Sequence, residues 1–275
     1  MRGITRIGVS ENILRMIIAK FVPKEIGAMN WTSSKAYNGY TSAMKSETGI
    51  LLMSNDERPD MGIHCVMSGS CLSANNEMNV SQHDVLSWIM NGGHSVSRID
   101  FAIDAKNSGL TPKRVARDIV AKKHVTKART APYINDGIRE GSTQYVGSLR
   151  NRTKLLRVYD KAADLGLDQD WLRIELELHG LSANKAAKLQ HDRENDGSVA
   201  ASLVKGYFDI PSNRKWQNII NSDAIKIDVP AKEAGNTELW LLNVVAPCLA
   251  RQLDLDESFM FKFMRQVEEH RNGGD

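Results

Sequence analysis

The segment Trp171-Leu-Arg-Ile-Glu-Leu-Glu-Leu-His179 restricts the fold more than any other. Side chains alternate across a β-strand, so Leu172, Ile174, Leu176 and Leu178 fall on one face, and Trp171, Arg173, Glu175, Glu177 and His179 on the other. A strand divided in this way is not buried on both sides. It requires a sheet with one face on a core and the other open, which is the usual condition of antiparallel sheets. Two further segments divide alike. Val96–Asp104 sets Ile99, Phe101 and Ile103 against Arg98, Asp100, Ala102 and Asp104, while Leu155–Asp160 sets Leu156 and Val158 against Arg157 and Tyr159, with Lys161 following in phase.

Other strands are expected over Tyr37–Lys45, Gly49–Met53 and Gly62–Met67, an antiparallel meander whose third strand closes at Gly69, and over Val125–Thr130 and Gln144–Val146. Helices are expected over Glu11–Phe21 behind a Ser10 cap, over Gln82–Met90 behind Ser81, from Pro112 to Lys122 behind Thr111, and over Ser182–Gln190 and Ser198–Phe208. Amphipathic patterns over Arg214–Ile220 and Asp254–His270 complete a C-terminal helical region. The fold class is α+β: an antiparallel sheet in two similar α+β halves, followed by helices. The expected divisions are an extension at 1–30, a catalytic domain at 31–180 and a helical region at 181–275 with a recognition role.

An apolar content of 41 % in 275 residues is ample for a core. The longest apolar segments, Ile13–Val22 and Leu239–Ala250, are interrupted by Arg15 and Lys20 and by Asn243 and Pro247. Both fall short of the roughly 18 apolar residues of a membrane span, so no membrane association is expected. Cys65, Cys71 and Cys248 have neither zinc-site spacing nor the even number of a disulfide framework, which fits a reducing cytoplasm. No G-x-x-x-x-G-K-[ST] phosphate loop occurs. The net charge is only +3, yet Lys106–Lys161 holds 14 Lys or Arg against 4 Asp or Glu. A basic window in an otherwise acidic chain is the footprint of a polyanion-binding surface, and it is also compatible with a solvated face paired to acids elsewhere.

Taken singly, the polar residues have ordinary readings. Tyr159 would be a packing tyrosine, Glu175 and Glu177 would pair with lysines across a strand, and Asp104 would begin a turn. If the three divided strands share a sheet, however, their open faces join Asp100, Asp104, Glu175 and Glu177 to a phenol and several cations. Such a patch has the parts for phosphodiester cleavage. Carboxylates suit Mg²⁺ or Mn²⁺, cations stabilise charge on a phosphoryl group, and the phenol is a nucleophile once deprotonated.

The series Val96-Ser-Arg-Ile-Asp-Phe-Ala-Ile-Asp104, Tyr145-Val-Gly-Ser-Leu-Arg150, Leu156-Arg-Val-Tyr-Asp-Lys161 and Trp171-Leu-Arg-Ile-Glu-Leu-Glu-Leu178 resembles the replication initiation factor family. These are rolling-circle initiators of plasmids and phages, related to MobT-type relaxases. The earlier Pro59-Asp-Met-Gly-Ile-His-Cys-Val-Met-Ser-Gly69 is similar to the family's preceding strand and turn. The resemblance implies that Tyr159 nicks one strand of a replication origin and keeps it as a 5′-phosphotyrosyl adduct for later rejoining, assisted by Arg157 and Lys161. It implies that Asp100, Asp104, Glu175 and Glu177 occupy the acidic positions, and that Mg²⁺ or Mn²⁺ is the cofactor. Arg150 is implied to contact DNA, although Leu149 stands where the commoner Gly-Ser-Arg form has its arginine. The basic window adds Arg152, Lys154, Lys113, Arg114 and Arg117 as expected DNA contacts. Origin DNA in single-stranded, melted or cruciform form, a host helicase and a second copy of the chain are the expected partners. A relaxase using the same chemistry and a non-catalytic DNA-binding regulator are the alternatives.

Overall fold

The computed structural model describes residues 2–3, 24–135, 142–150, 152–194, 196–227, 241 and 245–272. The helix expected over Glu11–Phe21 and its Ser10 cap lie outside them. The chain divides into two compact units, 1–228 and 229–275.

The first unit contains two five-stranded antiparallel sheets. Strand β1 (Arg2–Gly3) is followed by a single helical turn, α1 (Lys24–Gly27), and then by β2 (Trp31–Ser33), β3 (Ser42–Ser46), β4 (Leu51–Ser54) and β5 (Ile63–Val66). Their order is β1-β5-β4-β3-β2, the expected three-stranded meander of β3, β4 and β5 with β2 and β1 added at its two edges. Ile26 and Met29 are buried, and the Ile26 carbonyl accepts the Trp31 indole N–H at 3.2 Å, so this turn belongs to the core.

Where the sequence suggested that Gly69 closes a strand, the chain starts a helix, α2 (Gly69–Glu77), whose N-cap Ser68 accepts the Cys71 amide. Helix α3 (Gln82–Asn91) opens with a reciprocal capping box between Ser81 and Asp84 and buries Val85, Leu86 and Ile89 on one side.

The second sheet carries the site. It is formed by β6 (Arg98–Lys106), then, after helix α4 (Pro112–Val120) and the short β7 (Val125–Thr126), by β8 (Tyr133–Asn135), β9 (Ser142–Val146), β10 (Lys154–Asp160) and β11 (Trp171–His179). The order is β6-β11-β10-β9-β8. The chain therefore places β11 between β6 and β10, and these are the three strands with divided faces. A short helix, α5 (Lys161–Asp164), interrupts between β10 and β11, capped by the Asp160 carboxylate on the Ala163 amide at 2.9 Å. Lys161 is thus the first residue of a helix and not a continuation of the strand.

Helices α6 (Gly180–Asp192) and α7 (Ser198–Tyr207) follow directly, and the chain returns through β12 (Phe208–Asp209), paired with β7, to α8 (Arg214–Ile219). Helix α6 buries Ser182, Ala183, Ala186, Ala187 and Gln190, a stripe of mostly small residues that allows close approach to β6, β11 and α3. Val115 of α4, Ala186 of α6 and Leu203 of α7 share one core with Leu156, Ile174 and Phe101, so these helices cover the apolar face of the second sheet. Its other face carries the polar side chains of β6, β10 and β11.

In the second unit, α9 (Ala246–Leu255) and α10 (Phe259–Asn272) replace the single expected helix over Asp254–His270. The break falls at Asp256, whose carboxylate accepts the Ser258 amide at 2.9 Å. No described helix is long and apolar enough to cross a membrane.

Candidate active site on the open sheet face

The antiparallel register fixes which residues meet. Across β10 and β11, Tyr159 lies opposite Arg173 and Arg157 opposite Glu175. Across β11 and β6, Arg173 lies opposite Asp104, Glu175 opposite Ala102 and Glu177 opposite Asp100. On the far side of β10, Tyr159 faces Thr143 and Arg157 faces Tyr145. The hairpin joining β9 to β10 turns at Gly147, whose φ is +112°. A Cβ there would lie 2.7 Å from the Tyr207 hydroxyl and 2.8 Å from the Lys154 carbonyl, so the glycine of the Tyr145-Val-Gly-Ser motif is demanded by the hairpin.

The phenol of Tyr159 donates a hydrogen bond to Glu175 Oε1 at 3.2 Å. Partial burial and the neighbouring Glu175 carboxylate push its pKa up to about 12 against the opposing pull of Arg173. Glu175 Oε2 is held by Arg157 Nη2 at 2.8 Å. That same nitrogen lies 3.7 Å from Asp100 Oδ2 and 3.8 Å from Glu177 Oε2, so three carboxylates converge on one guanidinium. Arg98 closes the group from the edge strand, at 2.6 Å from Asp100 and 3.0 Å from Glu177.

The Glu177 side chain is fully buried. Burial alone would raise its pKa, but hydrogen bonds from Arg152 and His179 and the charges of Arg98 and Arg152 overcome that and hold it at about 2. Asp104 stands apart beyond Ala102. Its two oxygens accept from Arg173 Nε and Nη2, each at 2.7 Å, and Oδ1 also accepts the Trp171 indole N–H at 2.7 Å. Partial burial works against its charge, and the bonds from Arg173 and Trp171 keep its pKa below the usual value.

The four expected carboxylates therefore form two groups: three around Arg157, and Asp104 alone with Arg173. Their oxygens are the donor type that Mg²⁺ or Mn²⁺ takes. Among the described residues, however, no three His, Cys, Asp or Glu side chains are disposed to share an ion, because Arg157 Nη2 occupies the point of convergence. In this arrangement the donor set does not fit a metal.

Of the expected cations, Arg157 is central, and Arg152 joins the site through Glu177 and the Leu149 carbonyl. Lys161 is diverted to Asp164 at 2.6 Å, with its ammonium 5.9 Å from the centre of the Tyr159 ring. Lys154 reaches the Ile227 carbonyl at 2.8 Å. Arg150 is exposed in the hairpin loop, while Lys113, Arg114 and Arg117 are exposed on α4, which packs on the opposite, apolar face of the sheet. Arg98, Trp171, Arg173 and His179 were not singled out from the sequence as site residues. The signal was present, since each occupies the same alternating phase as an expected carboxylate.

Comparison with known proteins bears on the same strands. A family model described as replication initiation factor matches residues 94–267. Among solved structures, the chain is similar to a rolling circle replication initiator protein from Geobacillus stearothermophilus, with 17 % identity over 83 % of this chain and 94 % of that one and a TM-score of 0.60, which indicates a shared fold. No match was found among curated proteins.

Proposed function

Because the chain belongs to the replication initiation factor family, we propose that it starts rolling-circle replication by nicking one strand of an origin with Tyr159 and later rejoining it. The observation that carries this reading is the Tyr159–Glu175 hydrogen bond on an open sheet face, with arginines on both flanks. With a pKa of about 12, the phenol is neutral at physiological pH, so attack requires a base at the moment of reaction. Glu175 already accepts its proton's hydrogen bond and takes that role. Tyr159 Oη attacks phosphorus as its proton passes to Glu175. The bond from phosphorus to O3′ breaks, O3′ takes up a proton to become a free hydroxyl, and the 5′ side stays linked to the tyrosine. Rejoining runs the same steps backwards. Arg157 orients Glu175, and Arg157 and Arg173 are the cations nearest to where charge develops on the phosphoryl oxygens.

The test is incubation with origin DNA. The native protein should yield a nick and a 5′-phosphotyrosyl adduct, and Tyr159→Phe should yield neither while still binding DNA. An adduct that survives in Tyr159→Phe would refute the assignment. The carboxylates as arranged do not fit Mg²⁺ or Mn²⁺, so the steps above use neither ion, and nicking in EDTA tests the cofactor that the family resemblance implies. Full activity in EDTA would remove the metal and leave Tyr159 and Glu175 in place. Recognition of the origin or of a helicase partner is assigned to the region after Gly180.

A further inference from the structure

Trp171 is not needed for the chemistry above, yet it is half-buried, oriented and flanked by charge. Its indole N–H is tied to Asp104, Lys106 Nζ lies 4.5 Å from its ring centre, and Arg173 Cζ lies 5.9 Å away. An aromatic face beside cations is the combination that binds single-stranded nucleic acid, because every base can stack and every phosphate can pair. The position is equally specific. Trp171 precedes by two residues the Arg173 that faces Tyr159, so it shares the open face and its Cα lies roughly 8 Å from that of the tyrosine by strand geometry.

Lys106, opposite Trp171 in the register, also lines an open cleft of about 470 Å³ beside the last residues of β6. Asn107, Lys215 and Asn218 line the same cleft. Lys215 Nζ is held against the Gly109 carbonyl at 2.6 Å. Tyr159, Trp171, Lys106 and Lys215 thus follow one another from the proposed nucleophile to the cleft, in the sequence phenol, stacking surface, cation, cation. We propose that this path holds single-stranded DNA adjoining the cleaved bond, with a base stacked on Trp171 and phosphates taken by Lys106 and Lys215. The proposal rests on the nicking reading for its place in the reaction, but the binding it describes can be measured separately.

The measurement is fluorescence anisotropy of the full chain with a labelled oligothymidylate of about 12 nucleotides. Trp171→Ala should weaken binding on the order of ten-fold. Trp171→Phe keeps a ring but loses the N–H to Asp104, and should retain most of the affinity. Lys106→Ala and Lys215→Ala should each reduce the salt dependence of binding by about 0.7 in log–log slope. Native affinity in Trp171→Ala overturns the proposal. So does an equal loss in Trp171→Phe and Trp171→Ala, which would reduce the indole to a fastener for Asp104. A Trp171 effect that persists while Tyr159→Phe still forms the adduct supports the cleft and overturns the Tyr159 assignment. An intact Tyr159-dependent adduct with no Trp171 effect does the reverse.

Discussion

Two residues on adjacent strands, Tyr159 and Glu175, share a hydrogen bond whose chemistry can be separated by pH. In Glu175→Gln the proton has no acceptor of comparable basicity, and the nicking rate should fall by about 10²–10⁴. Removing the Glu175 carboxylate takes away one of the causes that raise the Tyr159 pKa, so in that variant it lies below the native value of about 12, and the residual rate should climb about ten-fold per pH unit across neutral pH, following the phenolate fraction. The native rate should vary less steeply, and stopped nicking time courses at several pH values measure both. Glu177 supplies a different pH signature. Its pKa of about 2 lies below the ordinary 4.5, so its charged form favours the folded state. That stabilisation is complete above about pH 5 and disappears as the pH falls toward 2. Glu177→Gln leaves Arg98 and Arg152 without their buried counter-charge and should cost about 3 kcal/mol at pH 7. Urea unfolding should show this loss together with a flattened acid limb.

Among the elements, the long alternating strands were legible, while the short edge strands β1, β2 and β8 and the connections were less so. The alternation in β6, β10 and β11 is dictated by one buried and one open face, and that pattern survives in a linear reading. Register does not: nothing local states that Glu177 meets Asp100 while Asp104 meets Arg173 and Trp171 two rows away. The four carboxylates were therefore expected in one patch and occur in two groups. Helix α2 was missed because Gly-Ser-Cys-Leu-Ser-Ala-Asn-Asn-Glu buries only Cys71 and Asn75 and has no apolar period. Lys161 was read as strand because its phase continues that of Tyr159, whereas the Asp160 cap starts a helix there. The packing of α6 allows an element-scale prediction. Ala186 is completely buried in the stripe that meets the sheet and α3, so Ala186→Leu should overpack it and lower stability by about 1–3 kcal/mol. Thermal melting of the full chain would register the change.

Over the whole molecule, the described residues of the main hydrophobic core all precede residue 228, where the first compact unit ends. A chain ending at Asp228 should therefore melt cooperatively within a few degrees of the full-length protein, and scanning calorimetry of the two would show it. The two-sheet plan was legible in outline, because each half repeats a run of alternating strands followed by helices, but the division at 228 rests on packing that no composition shift marks. At the centre of the second sheet, Asp100, Asp104, Glu175 and Glu177 are matched by Arg98, Arg152, Arg157 and Arg173. A phosphate arriving there meets arginines already engaged, so its arrival is an exchange of partners with little net attraction. In the proposed reaction, holding the nucleic acid would fall to contacts farther out, and the inner arginines would change partners when the reacting phosphoryl group asks most of them, so the centre would discriminate the transition state from the substrate more than it binds either.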